Sequence, residues 1–210
     1  MALHLTGLQQ KWASGLLAFG AAAGLYALTN RFLWHEPRLL QLTFIDHTIP
    51  FLPSSIWIYM SAFLFLPWMY HRTLTEYRRN LLGFMGLVAF SAAIFLIYPV
   101  RFPRELYPLE GVPSFTHSVF SWLRGVDAPV NCMPSLHASV IAYVFFNYVH
   151  SQKRIEFSFL KISGYGLWTA LILLSTLTTK QHYVFDILAG ALLGYGFFRL
   201  FVPSPSPGNT

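Results

Sequence analysis

The chain has 210 residues, of which 55% are hydrophobic and only 10% charged, with a formal net charge of +6 at neutral pH. Soluble domains carry about 25% charged residues, so this composition excludes an ordinary cytosolic enzyme, a disordered chain and a nucleic-acid-binding module. The mean hydropathy of +0.49 and a pI near 9.6 fit a chain that faces lipid, and the single cysteine, Cys132, excludes an internal disulfide and a multi-cysteine metal site.

About 20 apolar residues cross a bilayer as a helix. Six stretches approach that length, at 12–30, 51–70, 80–100, 134–149, 162–179 and 183–202. Met1–Gln10 lacks the basic start of a signal peptide, so the first stretch reads as a permanent span. Phe44–Pro53 follows it. Its prolines at 50 and 53 argue against a regular helix, and it reads as a re-entrant or interfacial loop plugging the bundle top, with a headgroup role for Asp46 and His47 as the alternative. Ser114–Arg124 carries Phe115, Val119, Phe120, Trp122 and Leu123, which predicts a short interfacial helix, either an aromatic belt or a lid. Pro203–Thr210 reads as a disordered tail. The expectation is one all-α integral membrane domain over 1–210, a six-transmembrane helix bundle. In the last span Gly190 and Gly194 form a close-packing pair; it serves packing within the chain in preference to a homo-oligomer.

Orientation follows from Lys and Arg near the span ends. Lys11, Arg72, Arg78, Arg79, Lys153, Arg154, Lys161 and Arg199 fall on one side, against Arg31, Arg38, Arg101, Arg104, Arg124 and Lys180 on the other. Setting Arg101, Arg104 and Lys180 aside for chemistry leaves eight against three. Both termini are then cytoplasmic, and the loops after spans 1, 3 and 5 face the extracytoplasmic or lumenal side.

On that outer side the polar residues gather. Arg101 and Arg104 follow span 3, Ser135 and His137 open span 4, and Lys180, His182 and Asp186 occupy the junction of spans 5 and 6. Ionisable groups at membrane depth are expensive and usually functional. His182 and Asp186 are four apart, so one helix face holds both. A carboxylate on one ring nitrogen would orient the other as a nucleophile; a snorkelling interfacial pair is the plain alternative. Pro134 and Ser135 read as a capped helix start, which attracts anions. Arginine forks match phosphate oxygens, although a pair at a span end also serves as a headgroup anchor.

Pro134-Ser-Leu-His137 and the run Ser175 to His182 to Asp186 resemble the second and third signature motifs of the type 2 phosphatidic acid phosphatase (PAP2) superfamily, Pro-Ser-x-His and Ser-Arg-x5-His-x3-Asp. Tyr98–Arg104 occupies the place of the first motif. Two departures stand out: Ile94 and Ile97 where the first motif has its lysine, and Thr176 where the third has its arginine. The Lys180-Gln-His-Tyr sequence and Phe44–Pro53 resemble the branch that includes inositol phosphorylceramide synthases.

The resemblance implies two-step phosphoryl transfer on a lipid phosphate or pyrophosphate within the bilayer. His182 would be the nucleophile, Asp186 its orienting partner and His137 the proton donor. Arg101, Arg104, Lys180 and Ser135 would bind the phosphate, with no metal and no cofactor. Hydrolysis is the leading expectation; transfer of a phosphorylated headgroup to a lipid alcohol is the alternative. A proton-coupled transporter ranks below both, because the span interiors are almost wholly apolar.

Overall fold

The computed structural model describes residues 7–68, 73–153 and 158–202; Arg72, Arg154 and the tail 203–210 lie outside the described residues. In chain order its helices are α1 (Gly7–Arg31), α2 (Phe44–Thr48), α3 (Ile56–Met60), α4 (Leu74–Ile97), α5 (Ser114–Val126), α6 (Leu136–Lys153), α7 (Phe159–Thr178) and α8 (Val184–Phe201). Most of α1, and all of α4, α7 and α8, are long and apolar enough to cross a membrane.

The other two predicted spans take different forms. Of the predicted span 51–70, the described residues 51–68 do not make one continuous α-helix. Pro53 opens a 3-10 turn, α3 lasts five residues, and a second 3-10 segment runs Ser61–Trp68. Pro50, Pro53 and Pro67 each lack an N–H, which removes the bonds a continuous α-helix would need there. The stretch 134–149 becomes α6, which carries His137, Ser139, Tyr143 and Asn147 and packs against α4, α7, α8 and 61–68. Its buried polar groups are satisfied close at hand. Ser139 Oγ donates to the Ser135 carbonyl at 2.8 Å, Asn147 Nδ2 to the Tyr143 carbonyl at 2.8 Å, and the Tyr143 hydroxyl to the Asn80 carbonyl at 2.8 Å. Polar content at the bundle centre is what lowers the hydropathy of α6 below that of its neighbours.

Helices α6 and α8 approach each other closely. A Cβ on Gly190 would collide with the Ser135 carbonyl, and one on Gly194 with the Ser139 carbonyl. The glycine pair is therefore spent on packing within the chain. Leu16, Leu17, Leu160, Leu167, Leu192 and Leu200 remain exposed on the outer faces of α1, α7 and α8, an apolar girdle far larger than a soluble monomer tolerates.

At one end of the bundle the loops are knitted together. The fold is helical except for a small addition, in which β1 (Arg38–Leu39) pairs in parallel with β2 (Val100–Arg101). Val100 also bridges to Asn131, and the Cys132 N–H donates to the Val100 carbonyl at 3.1 Å. Phe44–Pro53 is α-helical over only its first five residues. Thr43 and Asp46 form a capping box at the start of α2, which ends ahead of Pro50. The predicted interfacial helix forms as α5; Phe120 and Leu123 pack against Ile56 and Tyr59, while Phe115 and Trp122 stay exposed.

Replacing Gly194 by leucine forces α8 away from α6 and destabilises the fold by about 1–3 kcal/mol, the usual result of overpacking. Gly196→Leu, on the same helix with open space around it, leaves stability unchanged. Thermal unfolding in detergent compares the two, and equal Tm losses would disprove the contact.

Candidate active site

The loop between α7 and α8 is shaped by the way α7 ends. The Gln181 N–H donates to the Thr176 carbonyl and the Lys180 N–H to the Leu177 carbonyl, both at 3.1 Å. This is the Schellman pattern, in which the residue after the cap adopts left-handed backbone and is usually glycine. Here that residue is Lys180, with φ 54°. Its ammonium does not line the cavity described below. It donates to the carbonyls of Asp46 at 2.7 Å and Ile49 at 2.6 Å.

Two residues on, His182 precedes α8 and Asp186 lies in the first turn. Asp186 is fully buried, and its Oδ2 accepts the Tyr183 N–H at 3.0 Å, with His182 Nδ1 at 3.4 Å. His182 Nδ1 is closer to the Cys132 carbonyl, at 3.1 Å. A carbonyl only accepts, so Nδ1 carries the hydrogen, and Nε2 is left with the lone pair. The Asp186 pairing that the i, i+4 spacing predicts is present, but a backbone carbonyl 50 residues away shares the work of fixing the tautomer.

Ser135 caps α6, with its Oγ accepting the Ala138 N–H at 3.2 Å. Its own N–H donates to the Asp186 carbonyl at 3.0 Å, which joins the starts of α6 and α8. His137 follows in the first turn of α6. Its ring stacks on Tyr59 with centroids 4.3 Å apart, and its buried Nε2 has no hydrogen-bond partner.

His137, His182 and Arg104 line a single cavity of about 450 Å³. Asp186 stands directly behind His182, while Ser135, Arg101 and Lys180 are not among the lining residues. Arg101 is half exposed and pairs with Glu105 at 3.1 Å. Arg104 is buried, donating from Nη1 to the Asp127 carbonyl at 2.6 Å and from Nη2 to Asp127 Oδ2 at 2.9 Å, with Nε left unpartnered. Asp127 Oδ1 in turn accepts from the Tyr26 hydroxyl at 2.7 Å and Asn30 Nδ2 at 3.3 Å.

Asp127, Asn131 and Gln181 complete the polar end of the cavity; Phe19, Ala22, Phe63, Phe84 and Val88 form apolar wall. Sequence reasoning missed Asp127 and Tyr26. The available signal was that Asp127 is a rare acid in the same outer layer as the arginines.

Cys132 Sγ, a His182 ring nitrogen and an Asp186 oxygen lie within 4.8 Å of one another, close enough to hold a metal ion. To hold one, the Cys132 thiol would have to give up its proton. Burial, followed by the Asp186 charge, pushes the Cys132 thiol well above its ordinary pKa, and the thiol contacts the Pro129 carbonyl at 3.2 Å. A metal binds thiolate, not thiol.

A sequence model described as the PAP2 superfamily matches residues 29–200, which includes His137, His182, Asp186, Arg104 and Asp127 but not the α1 residues Phe19, Ala22 and Tyr26. The chain belongs to that superfamily. No curated protein matches the chain.

The two ion pairs differ in burial and so in consequence. Arg104→Ala or Asp127→Ala strands a buried partner and lowers stability by about 3–5 kcal/mol. Arg101→Ala, at the exposed pair, costs under about 1 kcal/mol. Thermal unfolding of the purified variants measures both, and similar losses for Arg101 and Arg104 would refute the distinction.

Proposed function

We propose that this member of the PAP2 superfamily is a membrane lipid phosphatase that hydrolyses a lipid phosphate or pyrophosphate through a phosphohistidine at His182. The observation that carries the reading is the pair of acceptors on Nδ1, which assigns the ring hydrogen to that nitrogen of His182. Its Nδ1–H is engaged by the Cys132 carbonyl and Asp186, and Nε2 is left as the nucleophile on a residue lining a cavity shared with His137 and Arg104.

In the first step Nε2 attacks phosphorus. The P–N bond forms as the bond to the lipid oxygen breaks, and His137 supplies the proton to the departing oxygen. In the second step water attacks phosphorus, the P–N bond breaks, and His137 takes the water proton. Asp186 stabilises the charge that the His182 ring gains. Arg104 meets the phosphate charge from a position preset by Asp127, which removes reorganisation from the reacting step. Arg101 and Lys180, assigned to the same task by their sequence positions, have other partners; Ser135 contributes through the helix start it caps.

A lipid substrate is supported by the cavity's two-ended character, polar at one end, where Arg104 and Asp127 face it, and apolar along α1, α4 and 61–63. The Lys and Arg distribution supports a multi-pass protein with cytoplasmic termini and an extracytoplasmic or lumenal site. Transfer to an alcohol is the second reading. Gln181 favours it, because its buried Oε1 has no partner in a residue that lines the cavity and would accept a hydrogen bond from an acceptor hydroxyl.

Purified protein offered phosphatidic acid, a polyprenyl pyrophosphate and a phospholipid with ceramide separates these readings. Phosphate release marks hydrolysis and headgroup exchange marks transfer. His182→Ala abolishes both, and near wild-type turnover in that variant overturns the mechanism. His137→Ala loses about 10²- to 10⁴-fold on alkyl leaving groups but less on an aryl phosphate, whose leaving oxygen needs little protonation. Equal losses would make His137 a phosphate ligand. Chelators leave activity intact; inactivation by them would revive the metal reading at Cys132, His182 and Asp186.

A further inference from the structure

Lys180 occupies the one non-glycine position with left-handed backbone among the described residues. Such a conformation costs a non-glycine residue about 1–3 kcal/mol, and glycine would adopt it freely. Something about the side chain must offset that cost. The Lys180 side chain reaches α2, where the ammonium holds the Asp46 and Ile49 carbonyls at the end of the helix. The Asp46 carboxylate returns the contact. Its Oδ2 is held by the Thr43 N–H at 2.8 Å and the Thr43 hydroxyl at 2.6 Å, which leaves Oδ1 to accept the Val184 N–H at 2.9 Å.

Val184 is the first residue of α8, and its N–H is one of the orphan donors of a helix start. Both side chains are buried, Asp46 at 4% exposure and Lys180 at 3%. Between these two anchor points lie only Gln181, His182 and Tyr183.

We propose that Lys180 and Asp46 are positioning residues that clamp the loop bearing His182 onto α2, fixing the nucleophile from both sides. Lys180 holds the chain two residues before His182, and Asp46 holds it two residues after. Neither touches substrate. Phe44–Thr48 is thereby a support for the reacting residue and not a headgroup contact. The inference rests on His182 being the nucleophile, and a displacement of about 1 Å at a reacting group is enough to slow a step a hundredfold.

Lys180→Gly tests the clamp without straining the fold, because glycine suits the left-handed backbone while removing the ammonium. Asp46→Asn tests the other anchor, since the amide cannot accept from Thr43 and Val184 together. Each variant is expected to lower kcat about ten- to a hundredfold on a lipid phosphate with KM within twofold, and the double variant is expected to fall no further than the worse single one. A raised KM with kcat kept in Lys180→Gly would make Lys180 a phosphate ligand and overturn the proposal, as would wild-type kinetics in either variant.

Hydrogen–deuterium exchange over 179–186 provides a readout that needs no substrate. It is expected to quicken in both variants while α6 stays protected, and unchanged exchange overturns the clamp. If wild-type protein turns over no lipid phosphate, or His182→Ala stays active, the phosphatase reading falls, and exchange still decides whether the loop is clamped.

Discussion

The hydrogen bond from the Ser135 N–H to the Asp186 carbonyl ties together the beginnings of α6 and α8, and the site depends on that junction. Each helix start presents donors with no partner inside the helix. Where those donors are buried they must be met by protein. Here they are met by Ser135, by Asp186 and by Asp46. The two histidines sit on or beside these first turns, so satisfying the backbone and aligning the chemistry are one requirement. The absence of side chains at Gly190 and Gly194 is what lets the two helices approach closely enough for the bond to form.

Charge at the site is handled by pairing in graded depth. Arg104 is buried and fully engaged on one side by Asp127, while Arg101, three residues earlier, stays half exposed with Glu105. The difference arises from the backbone between them. Arg101 ends β2, where its carbonyl accepts from the Tyr183 hydroxyl, and the chain then turns inward through Phe102 and Pro103 to a 3-10 turn that buries Arg104. The Arg104 cation is balanced before any substrate arrives, and its remaining donor, Nε, is unpartnered.

Hydropathy made α1, α4, α7 and α8 legible, because a long apolar run with a clean end has few other solutions. The i, i+4 spacing and the Pro-Ser-x-His run placed His182, Asp186 and His137 in one layer, and the fold brings them to one cavity and its wall. Three features were not legible. Residues 51–70 read as one span by composition, yet over the described part, 51–68, a short α-helix stands between two 3-10 segments. Arg101 and Arg104 are alike in sequence and separate only once β2 pairs with β1. Lys180 carries the charge that a phosphate site needs, but its backbone conformation and its reach to α2 follow from a contact spanning 134 residues, which no local pattern records.

The first helix has a separate consequence. Tyr26 and Asn30 hold Asp127, while Phe19, Ala22 and Ala23 one to two turns earlier form part of the cavity wall. The part of α1 that gives the pocket its width lies ahead of the matched segment, which opens at residue 29. Ala22 and Ala23 stand on the same cavity as the two histidines but on a different helix, and neither takes part in the α6–α8 junction or the Lys180 loop. The width of the cavity's apolar end and the placement of the two histidines are thus set by different parts of the molecule.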